Sequence, residues 1–309
     1  MAIVEVMRRG DSEAEKEVKD VFFDLETEEQ NTPKKPAPES SPPKMSLKEF
    51  QVQTDDGMTW HVEQSGSGVA PHIICIPSGE GDCHSFHKLA PLLSSAFTVI
   101  TFDMPGFSRS IPAPHAFDNL SPYVIANQVI GLMDKLSIPT ATIYGSSSGG
   151  NIALAMLQEH ERHVERIIIH EVPMHVLESM RDWATWPASE DPKIVALCQG
   201  IFLNGMNEDK DAWIGLGEEY HKRLERNYVT WGKNYIPVVE KTRWEKEELK
   251  RLAKKVNWTL GGQMPLAWFF DNVVLCTEVG IKIKVLDSKH FPYVSIPEVV
   301  AEYIKECCK

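Results

Sequence analysis

Four short, continuously apolar runs, separated by segments with helical periodicity, constrain the fold of this chain most strongly. The runs are His72 to Ile76, Phe97 to Phe102, Ala141 to Tyr144 and Val164 to His170. Parallel strands have this pattern because helices cover both faces of their sheet. The intervening helical segments are Phe86 to Leu93, Ser121 to Leu136 and Asn151 to Glu159. The alternation predicts a mostly parallel central sheet flanked by helices, with right-handed crossovers.

Further elements are predicted on both sides of this region. Glu49 to Val52 and Thr59 to Glu63 alternate apolar and polar residues, as antiparallel strands do. Late in the chain we predict a seventh strand, a helix, a last strand and an amphipathic helix: Leu266 to Phe270, a helix from Asp271, Lys282 to Asp287, and Pro297 to Glu306. Residues 174–262 have helical segments only, which predicts a helical lid inserted after the sixth strand. The core would then comprise residues 46–173 and 263–309.

Residues 1–45 differ in composition from the rest of the chain. Acidic and basic residues are interleaved there and are followed by the proline-rich stretches Thr32 to Pro38 and Ser40 to Pro43. Proline removes backbone donors and fixes φ, so this stretch cannot hold a helix or a sheet ladder. We expect a disordered tail, with docking to a partner as the alternative.

The composition limits the partners. The net charge of −12 disfavours binding to nucleic acid or to an anionic membrane. The sequence has no apolar run of the roughly 20 residues that span a bilayer, and its start lacks the features of a secretion signal. The six cysteines have neither the spacing of a zinc site nor the density of a disulfide scaffold. We therefore expect a cytoplasmic protein with a small-molecule substrate, no metal and no organic cofactor.

Gly145-Ser146-Ser147-Ser148-Gly149 is the stretch with the clearest chemistry. It reads G-x-S-x-G between a β-branched run and an apolar helical run, and only Ser147 has a glycine two positions away on each side. A sharp strand-to-helix turn of this kind exposes a nucleophilic hydroxyl. A plain Gly/Ser turn is the alternative. With the β/α alternation before it, the motif resembles the nucleophile elbow of the α/β-hydrolases.

The other catalytic groups follow from the order of the elements. Ligands bind at the carboxyl ends of parallel strands, and His290 lies just beyond the last predicted strand, so it is the candidate base. The oxyanion hole needs the N–H after the nucleophile, from Ser148, and one from the loop after the third strand, where Gly79 is the natural donor.

The carboxylate that orients His290 is ambiguous on this reasoning. Asp271 ends the predicted seventh strand, which is the usual position in this fold, and Glu171 ends the sixth. Either carboxylate could stabilise the imidazolium of His290.

Several strings of residues resemble the fungal zearalenone lactonases. They are Thr101 to Ser110, Gly145 to Gly149, His170 to Pro173, Asn227 to Trp231, Phe269 to Asn272 and His290 to Ser295. The similarity runs from about Gly57 to Ile304. The resemblance implies that Glu171 is the acid, with Asp271 the runner-up. It also implies that Trp231 hydrogen-bonds the substrate, that Phe269 and Phe291 line the pocket, and that the protein is a homodimer. The tail, Ser146, Gly150 and much of the lid depart from the family's pattern.

The resulting hypothesis is a detoxifying serine hydrolase that opens a resorcylic acid macrolactone of the zearalenone type through an acyl-enzyme. A general carboxylesterase or a C–C bond hydrolase of the same fold would use the same triad and differ in its pocket. A slow-turnover small-molecule receptor is the non-enzymatic alternative.

Overall fold

The computed structural model describes residues 47–69 and 71–309, and the predicted tail, residues 1–45, lies outside them. Within these residues, eight strands form one sheet in the order β1-β2-β4-β3-β5-β6-β7-β8. The strands are β1 (Lys48–Gln53), β2 (Thr59–Ser65), β3 (His72–Ile76), β4 (Thr98–Phe102), β5 (Ala141–Ser146), β6 (Val164–His170), β7 (Val256–Gly261) and β8 (Ile283–Leu286). β2 pairs antiparallel with β1 and β4, and all other neighbours are parallel, so the predicted fold class is confirmed.

Helices connect the strands and cover both faces of the sheet. They are α1 (Leu89–Leu93), α2 (Pro122–Lys135), α3 (Ser148–Glu159), α4 (Asp191–Gly200), α5 (Lys210–Ile214), α6 (Glu218–Thr230), α7 (Lys246–Leu252), α8 (Leu266–Val279), α9 (Pro292–Ser295) and α10 (Pro297–Cys307). Shorter 3₁₀ turns lie at Cys83–Phe86, Glu161–His163, Glu178–Met180, Trp183–Thr185, Ala188–Glu190, Ile236–Lys241 and Ala253–Lys255, and π-helical turns at Ile201–Gly205 and Trp231–Tyr235. α2 begins as its sequence predicts, because the Ser121 side chain accepts a hydrogen bond from the N–H of Val124.

The predicted position of the seventh strand is wrong. Leu266 to Phe270 forms the first turns of helix α8, and the seventh strand is Val256–Gly261, paired with β6 and β8. A short apolar run fits a strand or a buried helix equally well, and Pro265 in front of it favours a helix start. The true strand carries Asn257 and Thr259, which interrupt its apolar pattern. The Thr259 hydroxyl nevertheless donates to the carbonyl of Ile169 and is therefore satisfied inside the sheet.

The segment between β6 and β7, residues 171–255, consists of helices and turns, and we call it the lid. The predicted lid ended at residue 262, so its last part belongs instead to the sheet. The lid packs on the core through continuous apolar contacts. One buried cluster runs from Ile73 and Tyr144 of the sheet to Phe202 and Trp213 of the lid. Among the described residues, no helix is long and apolar enough to cross a bilayer.

Candidate active site

Ser147 stands on a strained turn between β5 and α3. Its φ is 52° and its ψ is −122°, a conformation that costs energy for a residue with a side chain. The flanking glycines make the turn possible: a Cβ on Gly145 would lie 2.4 Å from the carbonyl oxygen of Gly149, and one on Gly149 would lie 2.5 Å from that of Ile76. The sequence motif is therefore a requirement of the backbone. Ser148 is the first residue of α3, so its N–H has no acceptor within the helix.

His290 and Glu171 form a buried pair beside this turn. The Nδ1 atom of His290 lies 2.5 Å from Oε2 of Glu171, and the two side chains are 2% and 1% exposed. The backbone N–H of Gly261 donates to the other carboxylate oxygen at 2.8 Å. Glu171 also has a positive φ, 45°, at the end of β6. This pairing fixes which ring nitrogen of His290 carries a proton toward the carboxylate and leaves Nε2 free to act as a base.

A second histidine adjoins the same carboxylate. Nε2 of His170 lies 3.7 Å from Oε2 of Glu171, and its Nδ1 lies 2.9 Å from the hydroxyl of Thr259. Complete burial lowers the pKa of His170 to about 4, so this ring is neutral at pH 7. Burial would raise the pKa of Glu171, but charge interaction with His170 when that ring is protonated and the hydrogen bonds from His290 and Gly261 lower it. At pH 7, where His170 is neutral, the hydrogen bonds favour the carboxylate. Glu171 is therefore ionised next to His290.

Asp271, the runner-up acid, is not near this pair. It lies on helix α8, is 56% exposed, and its carboxylate contacts His175. The wrong strand assignment placed it at a strand end, where it would have faced His290.

A cavity bordered by core and lid residues opens beside the elbow. Of the predicted site residues, Ser147, Ser148, His290, Trp231 and Phe269 line it. No hydrogen bond joins Ser147 to the His290 ring in residues 47–69 and 71–309, but both side chains border the same cavity. Glu171 is buried behind His290. The structure thus brings together the predicted nucleophile, base and acid.

Two aromatic residues beside His290 differ in their positions. Phe269 stacks on the imidazole with ring centroids 5.4 Å apart and an angle of 12° between the planes. It is the one residue of α8 with non-helical dihedrals, and this kink turns its ring toward the cavity. Phe291 does not border the cavity, contrary to the role implied for it. It is fully buried against Phe202 and Trp213 and contacts His290 edge to face.

Trp231 lies against the loop that holds Gly79. A Cβ built on Gly79 would be 2.7 Å from the indole nitrogen, so only glycine allows this approach. Gly79 itself does not border the cavity. Within the described part of the chain, the indole N–H of Trp231 has no protein acceptor, so it can donate to a molecule in the cavity.

Most of the remaining cavity wall escaped the sequence analysis. It is apolar and comes from the lid, with contributions from α8: Pro173, His175, Val176, Leu177, Met180, Met206, Ile236, Val239 and Trp268. The sequence contains no motif for these positions, because they come from irregular lid segments whose packing depends on distant contacts.

Two side-chain clusters outside the cavity have the composition of metal ligands. They are His61, Glu63 and Cys83, and Asp82, Cys83 and Asp103. Arg109 occupies both: its guanidinium contacts Glu63, Asp82, Asp103 and the sulfur of Cys83. Arg223 also pairs with Asp82, so guanidinium groups already occupy the positions next to these carboxylates and neither cluster is suited to a metal cation. A third group with the composition of metal ligands consists of His170 and the pair Glu171 and His290, of which His290 borders the cavity.

Comparison with known proteins agrees with this architecture. Residues 71–200 match the model of the alpha/beta hydrolase fold family. Over 82% of its length the chain is 35% identical to a zearalenone hydrolase from Bionectria ochroleuca, of which it covers 96%. Over the same share it is 38% identical to a zearalenone hydrolase from Cladophialophora bantiana, covering 94% of it. Among solved structures, the enol-lactonase of Burkholderia xenovorans LB400 shares the fold, with a TM-score of 0.67 and 18% identity over 84% of this chain and 99% of that one.

Proposed function

Since this chain belongs to the zearalenone hydrolase family of α/β-hydrolases, we propose that it opens the ester bond of a resorcylic acid macrolactone by serine catalysis. The observation that carries this proposal is the 2.5 Å contact between His290 and Glu171 beside the strained Ser147, at the wall of an apolar cavity. A Ser-His-Glu triad is one of the arrangements that catalyse acyl transfer.

The first chemical step is attack on the lactone carbonyl. His290 Nε2 accepts the proton of the Ser147 hydroxyl while Glu171 stabilises the imidazolium that forms. The serine oxygen adds to the carbonyl carbon, and the backbone N–H groups of Ser148 and Gly79 donate to the oxyanion. Each such donor contributes about 3 to 4 kcal/mol to transition-state stabilisation.

Ring opening and hydrolysis follow. The ester C–O bond breaks, and His290 returns the proton to the leaving secondary alkoxide, which remains tethered in the acyl-enzyme because the substrate is a ring. Water, deprotonated by His290, then attacks the ester of Ser147 and releases the acid. The released resorcylic acid carries hydroxyl groups ortho and para to its carboxyl group, an arrangement that favours loss of CO₂ without the enzyme.

The apolar lining of the cavity favours a bulky, largely apolar substrate. Met180, Val176 and Val239 border it and can contact an aliphatic ring, and Trp231 offers one indole N–H. Such a mixture of apolar wall and few donors is typical of small-molecule sites. The cytoplasmic location and the homodimer predicted from the sequence belong to the same proposal.

The experiment is incubation of the purified protein with zearalenone, its two reduced alcohol forms and a small aryl acetate, followed by chromatography and mass spectrometry. We expect ring-opened and decarboxylated products from the macrolactones. Because a lactone leaves its whole mass on the enzyme, quenched samples should contain protein heavier by one substrate molecule, located on the peptide with Ser147. Turnover of the aryl acetate alone would indicate a general carboxylesterase, and binding without turnover a receptor.

A further inference from the structure

One face of helix α6, continued by Trp231 at the start of the π-helical turn that follows it, runs along the loop after β3. Three residues spaced one helical turn apart contact this loop in order. Arg223 donates to the carboxylate of Asp82 at 2.7 Å, Asn227 donates to the carbonyl of Glu80 at 2.8 Å, and Trp231 packs against Gly79. Side chains at i, i+4 and i+8 share a helix face, so the lid helix and the loop are aligned along two turns.

The loop contains a tight turn around the Gly79 amide. The N–H of Gly81 donates to the carbonyl of Ser78 at 3.0 Å, so Gly79 and Glu80 are the central residues of a β-turn. The Glu80 side chain is fully buried, and its Oε1 accepts a hydrogen bond from Tyr293 at 2.9 Å. The carbonyl of Glu80 faces the lid and is the point at which α6 holds the turn.

Asn227 is bonded in a way that fixes its orientation. It is fully buried, its Oδ1 accepts from the N–H of Ser108 at 2.8 Å, and its Nδ2 donates both to Glu80 and to the Ser108 hydroxyl at 2.7 Å. Both amide protons are therefore used. If the amide were rotated by half a turn, its NH₂ group would face the N–H of Ser108 and its oxygen would face the carbonyl of Glu80, so both hydrogen bonds would be lost.

We propose that Asn227 is a positioning residue for the oxyanion hole. By holding the carbonyl of Glu80, it fixes the Ser78–Gly81 turn, which carries the Gly79 N–H assigned above to the oxyanion hole together with that of Ser148. Asn227 touches no substrate. The inference rests on the proposed function only in assigning Gly79 as an oxyanion donor.

This role has a specific kinetic consequence. An oxyanion forms in the hydrolysis of every ester, so loss of the Asn227 contact should lower kcat for large and small substrates alike. Substrate affinity depends on the cavity wall, which Asn227 does not border, so KM should change little. Displacement of a catalytic group by about 1 Å can lower a rate about 100-fold.

The test compares Asn227→Ala and Asn227→Ser with the wild-type protein. Asn227→Ser retains a small polar group and provides a folded variant if the alanine protein is unstable. We would measure kcat and KM with zearalenone and with 4-nitrophenyl acetate, and the rate at which a 4-nitrophenyl phosphonate labels Ser147. The phosphonyl oxygen occupies the oxyanion position, so all three rates should fall together, by about 10- to 100-fold in the alanine variant.

Thr242→Val is the matched control. It removes another buried hydrogen bond between lid and core, from Asn151 to the Thr242 hydroxyl at 2.9 Å, and leaves the Gly79 loop untouched. It should lower the melting temperature without lowering kcat. If Asn227→Ala lowers the melting temperature but keeps the three rates, Asn227 is only structural and the proposal is wrong. A loss confined to zearalenone would also overturn it.

The outcome is separable from that of the proposed function. If the wild-type protein hydrolyses the acetate but not zearalenone, the macrolactone proposal fails while the comparison of variants still decides the role of Asn227. If neither ester is hydrolysed, the phosphonate labelling of Ser147 decides it.

Discussion

The carboxylate of Asp271 lies 3.2 Å from Nε2 of His175, and both side chains are largely exposed. Asp271 is therefore engaged away from His290, although its place in the chain is close to the usual position of the acid in this fold. The carboxylate that does reach His290 is Glu171.

Glu171→Gln should lower kcat by about four orders of magnitude. A neutral amide cannot stabilise the imidazolium and can favour the wrong tautomer of His290, as loss of the charge does in other triads. Asp271→Asn should stay within about threefold of the wild-type kcat, because an exposed ion pair contributes at most about 1 kcal/mol. Steady-state kinetics on zearalenone provide the comparison. If Asp271→Asn lowered kcat more than Glu171→Gln, Asp271 would be the acid of the triad.

Ser147→Ala should abolish turnover, with a loss on the order of 10⁶ in rate, while binding and folding are retained. Ser146→Ala is the matched control within the same turn. The Ser146 hydroxyl is fully buried and has no hydrogen-bond partner among the described residues, so its removal should leave stability unchanged or slightly increased. Kinetics and thermal denaturation of both variants give the answer. An inactive Ser146→Ala with an active Ser147→Ala would show that the nucleophile is misassigned.

Trp231→Phe should reduce kcat/KM for the macrolactone by about 1 to 3 kcal/mol equivalent, which is the cost of losing a buried hydrogen-bond partner. The phenyl ring keeps most of the aromatic face and deletes the indole N–H, whose nitrogen is also the atom of Trp231 nearest to a Cβ built on Gly79. A small aryl acetate, too short to reach the lid, should be hydrolysed at the wild-type rate. Equal losses on both substrates would mean that Trp231 supports the lid and does not contact the substrate. Trp231→Ala also removes the packing against Gly79, so it should slow both substrates.

The pH dependence of stability should contain a contribution from His170. The pKa of its ring is lowered by burial to about 4, below the ordinary value of 6.5, so the unfolded chain binds a proton that the folded one does not. The contribution of His170 to the free energy of unfolding is fully present above pH 6.5. It is lost as the pH falls toward 4, which lowers the free energy of unfolding by about 3 kcal/mol in total. Urea unfolding at pH 7, 6 and 5 should give a smaller decrease for His170→Gln than for the wild-type protein. If the free energy of unfolding decreased equally with pH in His170→Gln and in the wild-type protein, His170 would make no such contribution.

The sequence predicted the part of the site that local backbone chemistry determines. The spacing of Gly145, Ser147 and Gly149 reflects close contacts within a few residues, so the motif can be recognised without the fold. The position of His290 followed from chain order, because strand ends meet at one edge of a parallel sheet. Chain order left Glu171 and Asp271 as alternatives, and the choice of Glu171 came from the resemblance to the zearalenone lactonases.

The errors arose where tertiary contacts outweigh local pattern. Leu266 to Phe270 is apolar enough for a strand, but β6 pairs with Val256–Gly261, where Asn257 and Thr259 find hydrogen-bond partners across the sheet. The family resemblance implied that Phe291 lines the pocket, yet its side chain packs into the aromatic cluster of the lid. Neither outcome can be derived from residues that are adjacent in sequence.

The row of contacts from α6 to the Gly79 loop also bears on how this scaffold can be altered in the laboratory. The lid has two kinds of position: Arg223, Asn227 and Trp231 contact the loop, whereas Val176, Met180, Ile236 and Val239 border the cavity and also pack in the buried apolar cluster of the lid. A graft that imports a foreign lid without its partner loop would separate donors from their acceptors. Libraries that keep Arg223, Asn227 and Trp231 constant and randomise Val176, Met180, Ile236 and Val239 should therefore change which ring sizes are accepted. They should contain a larger share of active clones than libraries that randomise the whole lid.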